Sequence, residues 1–335
     1  MTAVRKWSIR NSGLIILLVC TTIPALAASK QEDDVSDIGS RHIAHHSLIS
    51  EQKEIAIGKK YSEQIDRTAK LVHDPVISEY VNRVAQNLAR NSDLKIPLTV
   101  KVIDSPEINA FALPGGFLYV NTGVIQAAEG ESQLAGVMAH EIAHVAARHW
   151  AAQVTKQTLL QYAMIPLIFT PMSYPVYIGL SEGLNVGVPL AFLKFSRNDE
   201  SEADFLGLQY MWKAGYDPNS YIAMFSKIIQ DQRREPDSVP SIFMDHPLTQ
   251  NRIIKAEEEI KDILPKRSEY LVSTSEFQTV KARLNNLLAA SRKVESKEGK
   301  PTLKRRAPST AQPNGGSQGQ DPDDNDKPPV LRRRN

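Results

Sequence analysis

The chain has 335 residues, 41% of them hydrophobic, which is enough for one large domain or two small ones around a substantial core. Its 40 Lys/Arg against 38 Asp/Glu leave a net charge of +2, so overall charge gives no support for a nucleic-acid partner. The only cysteine, Cys20, lies in a leader-like segment. Removal of that segment excludes disulfides and thiolate chemistry from the remainder and leaves histidine and carboxylate as its metal ligands.

The first 27 residues read as a signal peptide. Arg5, Lys6 and Arg10 form a positive start, Gly13 to Cys20 is a short apolar core, and Ala25-Leu26-Ala27 is a small-residue cleavage site. Cleavage is expected after Ala27, with export as the consequence. The apolar core is short for an uncleaved anchor. Val19 is bulky for a lipoprotein site at Cys20. Residues 28–48 are polar and acidic, then carry His42, His45 and His46. Without apolar periodicity they read as a solvated, poorly ordered arm, with a histidine metal clip as the other reading.

One large domain is expected over residues 49–290. From Ser50 the pattern is helical. Asp74-Pro75 is an N-cap and first-turn pair that opens a helix carrying Val76, Tyr80, Val84 and Leu88 on one face. Pro97 to Asp104 alternates as a strand. From Ile108 to Asn121, two apolar runs flank Pro114-Gly115-Gly116, a turn signal, so a hairpin is expected just before the next helix. Asn109, Ala110, Phe111, Ala112, Gly115 and Gly116 are its candidate substrate-binding residues, on the reasoning that an edge strand can hold an extended chain by β-addition. An ordinary core hairpin fits the same pattern.

The next helix begins near Glu129 to Ser132 and contains His140-Glu141-Ile142-Ala143-His144 between apolar, proline-free flanks. Residues four apart share a helix face, so His140 and His144 present two imidazoles to one zinc ion. Glu141, one position on, is placed to act as general base on a water at the metal. The helix is expected to run on through Arg148-His149, with His149 a structural or surface group. It lies five residues past His144, outside the spacing of a third zincin histidine.

Residues 157–181 contain no charge and are long enough to span a bilayer, but Pro166, Pro171 and Pro175 oppose a simple spanning helix. A hydrophobic lid or loop beside the cleft, touching membrane or unfolded substrate, is the favoured expectation. Ser196 to Asp204 then offers carboxylates. Glu200 and Asp204 are four apart on one helical face, and Glu202 points about 200° away from Glu200. One carboxylate of that face can bind zinc while the other orients a ligand histidine. An acidic helix start that suits the dipole is the competing reading.

Four stretches in order, HEIAH, NAFALPGG, SRNDESEAD and the late HP-x-x-x-x-R from His246 to Arg252, resemble the HtpX and BepA group of zinc metallopeptidases, relatives of the CAAX prenyl protease. The resemblance covers roughly residues 50–285. It implies a zincin-like, mostly helical α+β domain with a small sheet and hairpin beside the HExxH helix. It implies His140, His144 and Glu200 as ligands of one zinc, Glu141 as base, and Asp204 with Arg252 as supporting residues. It also implies that His246 lies beside the metal, as a resting fourth ligand or an oxyanion stabiliser. Tyr270 to Leu287 resembles the segment that precedes tetratricopeptide repeats in BepA-type proteins.

Asp217-Pro218 opens a helix with Tyr221, Met224, Phe225 and Ile228, and Ile253 to Leu264 is a charged amphipathic helix. Residues 291–335 are rich in Lys/Arg, Pro, Gly and Asp and read as a disordered basic tail, solvated or touching an anionic surface. The resulting expectation is a periplasmic zinc metalloendopeptidase acting on unfolded or misassembled envelope proteins, in contact with outer-membrane assembly machinery. The alternative is a metal-stabilised chaperone or assembly factor with a latent site. Substrate identity and oligomeric state are not legible from the chain.

Overall fold

The computed structural model describes residues 34–168, 195–234, 246 and 249–298. The leader over 1–27, the later part of the charge-free stretch 157–181, Pro247 and the tail beyond 298 lie outside the described residues. The chain divides into two compact units, Met1–Ala289 and Ala290–Asn335. The described part of the second is the end of one helix.

Local chemistry sets the helix starts. Ser50 caps α1 (Glu51–Thr68) by accepting from the Lys53 N–H. Asp74 caps α2 (Pro75–Arg90) by accepting from Val76 and Ile77. The buried stripe of α2 is Ile77, Tyr80, Val81, Val84, Ala85 and Leu88, whereas Val76 is exposed. The stripe therefore starts one residue later than the sequence pattern places it.

The strands are β1 (Thr99–Ile103), β2 (Ala110–Leu113) and β3 (Phe117–Asn121), in spatial order β1-β3-β2. β1 runs parallel to β3, with Thr99 opposite Phe117, and β2 pairs antiparallel, with Ala112 opposite Leu118. The expected hairpin is thus present and β2 is an edge. Gly115 and Gly116 turn it with φ of 79° and 87°, a region that disfavours any side chain.

After the short α3 (Thr122–Ala127) comes α4 (Glu131–Ala146), every residue of which is buried. A helix apolar on all sides belongs at the centre of a domain, and α4 packs against α2, β2 and two later helices, α6 (Arg197–Lys213) and α7 (Asn219–Arg234). At Gly207 of α6 an added Cβ would sit 3.2 Å from the His140 backbone nitrogen, so the two helices meet backbone to backbone. Helices α8 (Gln250–Asp262) and α9 (Ser275–Glu298) complete the described residues. Among these, no helix is long and apolar enough to cross a membrane. The molecule is mostly helical α+β with a small mixed sheet.

Two expectations fail here. The arm over 28–48 is not a solvated strand of coil from Asp34 onward. Val35, Ile38 and Ile43 join the core, and Arg41 is 1% exposed, bonded to Asp93 and Gln209. Three apolar residues without a helical period carry too weak a signal, and the long-range partner of Arg41 is invisible locally. Nor does α4 continue through Arg148-His149. It ends at Ala146, and Arg148 adopts φ 56° before α5 (His149–Ile168) begins. The Arg148 side chain holds the break, donating to Glu54 Oε2 and the Ile49 carbonyl, both at 2.8 Å. Helix α5 runs on through the start of the charge-free stretch, so residues 157–168 are helix and not loop.

Candidate metal centre and active site

His140 and His144 stand one turn apart on α4, with side chains 3% exposed. Their Nε2 atoms are 3.1 Å apart. Helix α6 begins at Ser196, whose hydroxyl accepts from the Asp199 N–H while Asp199 bonds back to the Ser196 N–H. That capping box presents Glu200 to α4. Glu200 Oε1 lies 3.5 Å from His144 Nε2 and 2.8 Å from His246 Nδ1, and His246 Nδ1 lies 3.4 Å from His140 Nε2.

Four donors on a tetrahedron with metal–ligand distances of about 2.0–2.2 Å sit about 3.4 Å apart. The measured separations of 2.8–3.5 Å bracket that edge. Three imidazole nitrogens and a carboxylate oxygen converging on one buried point cannot all be satisfied by each other, and together they suit a cation. The three nitrogens and one carboxylate oxygen therefore fit a divalent ion of zinc type.

The arrangement is braced from behind. His140 Nδ1 is 3.1 Å from Asp204 Oδ1. Arg252 grips Asp204 with Nε at 2.6 Å from Oδ2 and Nη2 at 2.6 Å from Oδ1, and its Nη1 is 2.9 Å from Glu200 Oε2. The Tyr221 hydroxyl donates to Asp204 Oδ1 in a short contact. Burial works to raise the Asp204 pKa, but Arg252 and His140 outweigh it and hold the carboxyl below its usual value. Burial works the same way on Glu200, and hydrogen bonds to His140 and His246 hold it far below. Burial by itself would lower His140, yet Asp204 and Glu200 raise it to about 9. Burial, with His140 beside it, pushes His144 well below 6.5. Arg252 and His140 together thus supply the positive charge that keeps the two carboxylates ionised.

Glu141 is 2% exposed. Burial raises its pKa, which makes it a stronger base than an ordinary glutamate. Its Oε2 accepts from the Ala112 backbone N–H at 3.1 Å, and its Oε1 lies 3.4 Å from His246 Nε2. Strand β2 therefore runs along the site with the Ala112 N–H aimed away from β3. Ala110 and Ala112 face the same way, Phe111 stacks on Tyr119, and Asn109 accepts from the Asn121 N–H just before the strand. Gly115 and Gly116 are elsewhere. A Cβ on Gly115 would meet Ile55 and one on Gly116 would meet the Pro97 carbonyl, so these glycines serve the turn and its packing.

Three further residues adjoin the cluster. The turn at Arg148 swings His149 back onto α4, where its Nδ1 lies 2.8 Å from His144 Nδ1. His149 Nε2 faces Glu202 Oε2 at 3.4 Å, and His45 Nε2 lies 2.9 and 3.1 Å from the two Glu202 oxygens. Burial works to raise the Glu202 pKa, but His149 and His45 bring it down to about 2. On an unbroken helix His149 would point about 140° from His144, so spacing held no signal for this contact. The opposition of Glu202 to Glu200 on α6 was the one available clue.

The sequence profile of peptidase family M48 matches residues 75–260, which contain every residue of this centre except the flanking His45. The chain is 31% identical over 258 residues to a putative beta-barrel assembly-enhancing protease of Vibrio cholerae, covering 75% of this chain and 52% of that one. It is 30% identical over 279 residues to the beta-barrel assembly-enhancing protease of Escherichia coli K12, covering 79% and 56%. A likeness of 34% over 211 residues extends to the mitochondrial metalloendopeptidase OMA1 of Schizosaccharomyces pombe, covering 62% and 59%. The chain spans about half the length of the curated relatives it matches. A buried HExxH helix, a carboxylate donor from the next packed helix and a profile covering more than half of the sequence agree, and the chain belongs to peptidase family M48.

Proposed function

We propose that this chain is a zinc-dependent endopeptidase, exported to the periplasm, that hydrolyses peptide bonds in unfolded or misassembled envelope proteins. The observation that carries the reading is Glu141, a buried carboxylate of raised basicity set between the four-donor cluster and an edge strand. His140, His144 and Glu200 would hold the zinc, with Asp204 and Arg252 bracing His140 and Glu200. Zinc there supplies a Lewis acid for the scissile carbonyl and lowers the pKa of water at the site. Glu141 takes a proton from the attacking water and delivers it to the nitrogen of the leaving amine as the C–N bond breaks. Asn109, Ala110, Phe111 and Ala112 hold an extended stretch of substrate alongside β2. An edge strand reads backbone more than side chains, which suits unfolded chains.

His246 completes a four-donor set when its Nδ1 points at the cluster, and an imidazole N–H there can stabilise an oxyanion when it swings away. The beta-barrel assembly-enhancing names of the relatives support outer-membrane assembly as the setting, with assembly machinery as the partner. A cleaved leader over 1–27, a catalytic domain over 49–290 and a basic tail over 291–335 complete the reading. Residues 157–181 or the tail would provide any membrane-surface contact.

The closed donor set favours a second reading, since zinc sites with four protein ligands are usually structural. The protein would then be a metal-stabilised chaperone with a latent site. Two variants separate these. Glu141→Gln is expected to cut cleavage of an unfolded outer-membrane protein by about 10²–10⁴-fold with zinc still bound; equal cleavage by wild type and variant sinks the enzyme reading. His246→Ala is expected to raise or release proteolysis, and substrate binding without cleavage in both forms would favour the chaperone.

A further inference from the structure

His149 and Glu202 have no role in the chemistry above, yet they are built into the centre. His149 is 1% exposed and its side chain not at all, at the first position of α5. It reaches His144 only because the backbone turns over at Arg148. Its Nδ1 meets His144 Nδ1, the nitrogen that faces away from the cluster, at 2.8 Å, so one ring donates and the other accepts. Glu202, 21% exposed in its side chain, is the acceptor within reach of His149 Nε2, and His45 grips the same carboxylate from the N-terminal segment.

The protons can be assigned by valence. A neutral imidazole that offers Nε2 to a metal carries its proton on Nδ1. His144 offers Nε2 to the cluster. Its Nδ1–H must therefore donate, and the atom 2.8 Å away is His149 Nδ1, which must accept. His149 then carries its own proton on Nε2, which faces the Glu202 carboxylate across 3.4 Å, an electrostatic contact longer than a formed hydrogen bond. Each ring orders the next, and the carboxylate ends the series. Asp204 braces His140 directly; His144 is braced through one intervening ring.

We propose that His149 and Glu202 form a positioning dyad that fixes the orientation and tautomer of His144, and thereby tightens zinc binding. The inference rests on the metal-centre reading above. His45, His149 and Glu202 have a separation that would also suit a second metal ion. The proton assignment argues against it. A metal on His149 Nε2 would force the His149 proton onto Nδ1, opposite the Nδ1–H of His144 at 2.8 Å, where two donors repel.

The test is zinc affinity of the full chain by chelator competition, with the visible spectrum of the cobalt-substituted protein as a direct report of ligand geometry. Outer residues of this kind contribute about 10–100-fold to metal affinity. His149→Ala is expected to weaken zinc by about that factor and to alter the cobalt bands. His149→Asn, whose Oδ1 can occupy the place of Nδ1 and accept from His144, is expected to recover most of the loss. Glu202→Ala is expected to weaken zinc by roughly 3–10-fold, within that range or just below it. His149→Ala combined with Glu202→Ala should be no worse than His149→Ala alone, because Glu202 acts through His149. Unchanged affinity and spectrum in His149→Ala overturn the proposal. If that variant fails to fold, unchanged affinity in Glu202→Ala, or a folded His149→Asn that binds zinc about tenfold or more weakly than wild type, does the same. Additive losses in the double variant, or two zinc ions per wild-type chain with one removed by His45→Ala, also overturn it. A wild type that binds no zinc defeats the metal-centre reading itself, a distinct result from a zinc-binding wild type with an inert dyad.

Discussion

Arg252 is the counter-charge on which the buried carboxylates depend, and Arg252→Met isolates that dependence. The guanidinium makes two bonds of 2.6 Å to Asp204 and approaches Glu200 at 2.9 Å, and the side chains of all three residues are at most 8% exposed. Methionine keeps much of the apolar stem but leaves Asp204 ionised and short of a cation. Breaking a buried pair by removing one partner costs about 3–5 kcal/mol, because the stranded charge is uncompensated. For a domain of this size each kcal/mol moves Tm by about 2–4 °C, so the metal-free variant should melt roughly 6–20 °C lower. A metal ion held by the cluster would offset the charge of Glu200 and not that of Asp204, so loading should restore only part of the loss. Asp204→Asn added to Arg252→Met removes the stranded charge and should be more stable than Arg252→Met alone. Urea unfolding of metal-free and zinc-loaded protein reads each of these. A loss under about 1 kcal/mol, the scale of an exposed ion pair, or a double variant no better than the single, would refute the charge argument.

Four more predictions bear on the site and its frame. With the metal-free His140 pKa raised to about 9, zinc must displace a proton, so affinity should fall by about tenfold per pH unit below 9 toward neutrality; a flat profile would contradict it. The same shift, upward from 6.5, stabilises the metal-free fold below about pH 6.5, and that gain is lost as pH rises through about 9. Ala112→Pro deletes the N–H that donates to Glu141 and blocks strand addition on that edge, so kcat/KM should drop by about tenfold or more at unchanged zinc affinity, measured with an unfolded substrate. Glu131→Ala strands the hydroxyls of Tyr80, Tyr216 and Thr274, which bond to this buried carboxylate at 2.8, 3.0 and 2.5 Å; it should cost roughly 2–4 kcal/mol in denaturant unfolding, and a loss below about 1 kcal/mol would show that these groups find other partners.

What the chain discloses locally is largely what is encoded locally. Asp74-Pro75 starts its helix because a cap acts within three residues. Glu200 and Asp204 could be grouped because helical pitch is a local rule, and the structure brings both against α4. The hairpin followed from Gly115 and Gly116, which meet a backbone requirement at their own positions. The unread features all depend on distant partners. Arg41 is buried because Asp93 awaits it, and Glu202 faces inward because His45 and His149 do. The end of α4 was misplaced because nothing in VAARHW stops a helix. The stop is Glu54, more than ninety residues earlier.

The left-handed turn at Arg148 has a consequence for maturation. A non-glycine residue held there costs on the order of 1–2 kcal/mol and persists only while something clamps it. The clamp consists of Glu54 and the Ile49 carbonyl, and the backbone N–H of His45 meets the Ala147 carbonyl beside it. These N-terminal groups leave the ribosome and cross any membrane first, whereas Glu200 and His246 come last. The seat of His149 is thus tied to residues 34–68, and on the dyad proposal full-strength metal binding needs that segment docked. Damage near the N-terminus would then loosen the candidate metal centre before any candidate ligand residue is touched.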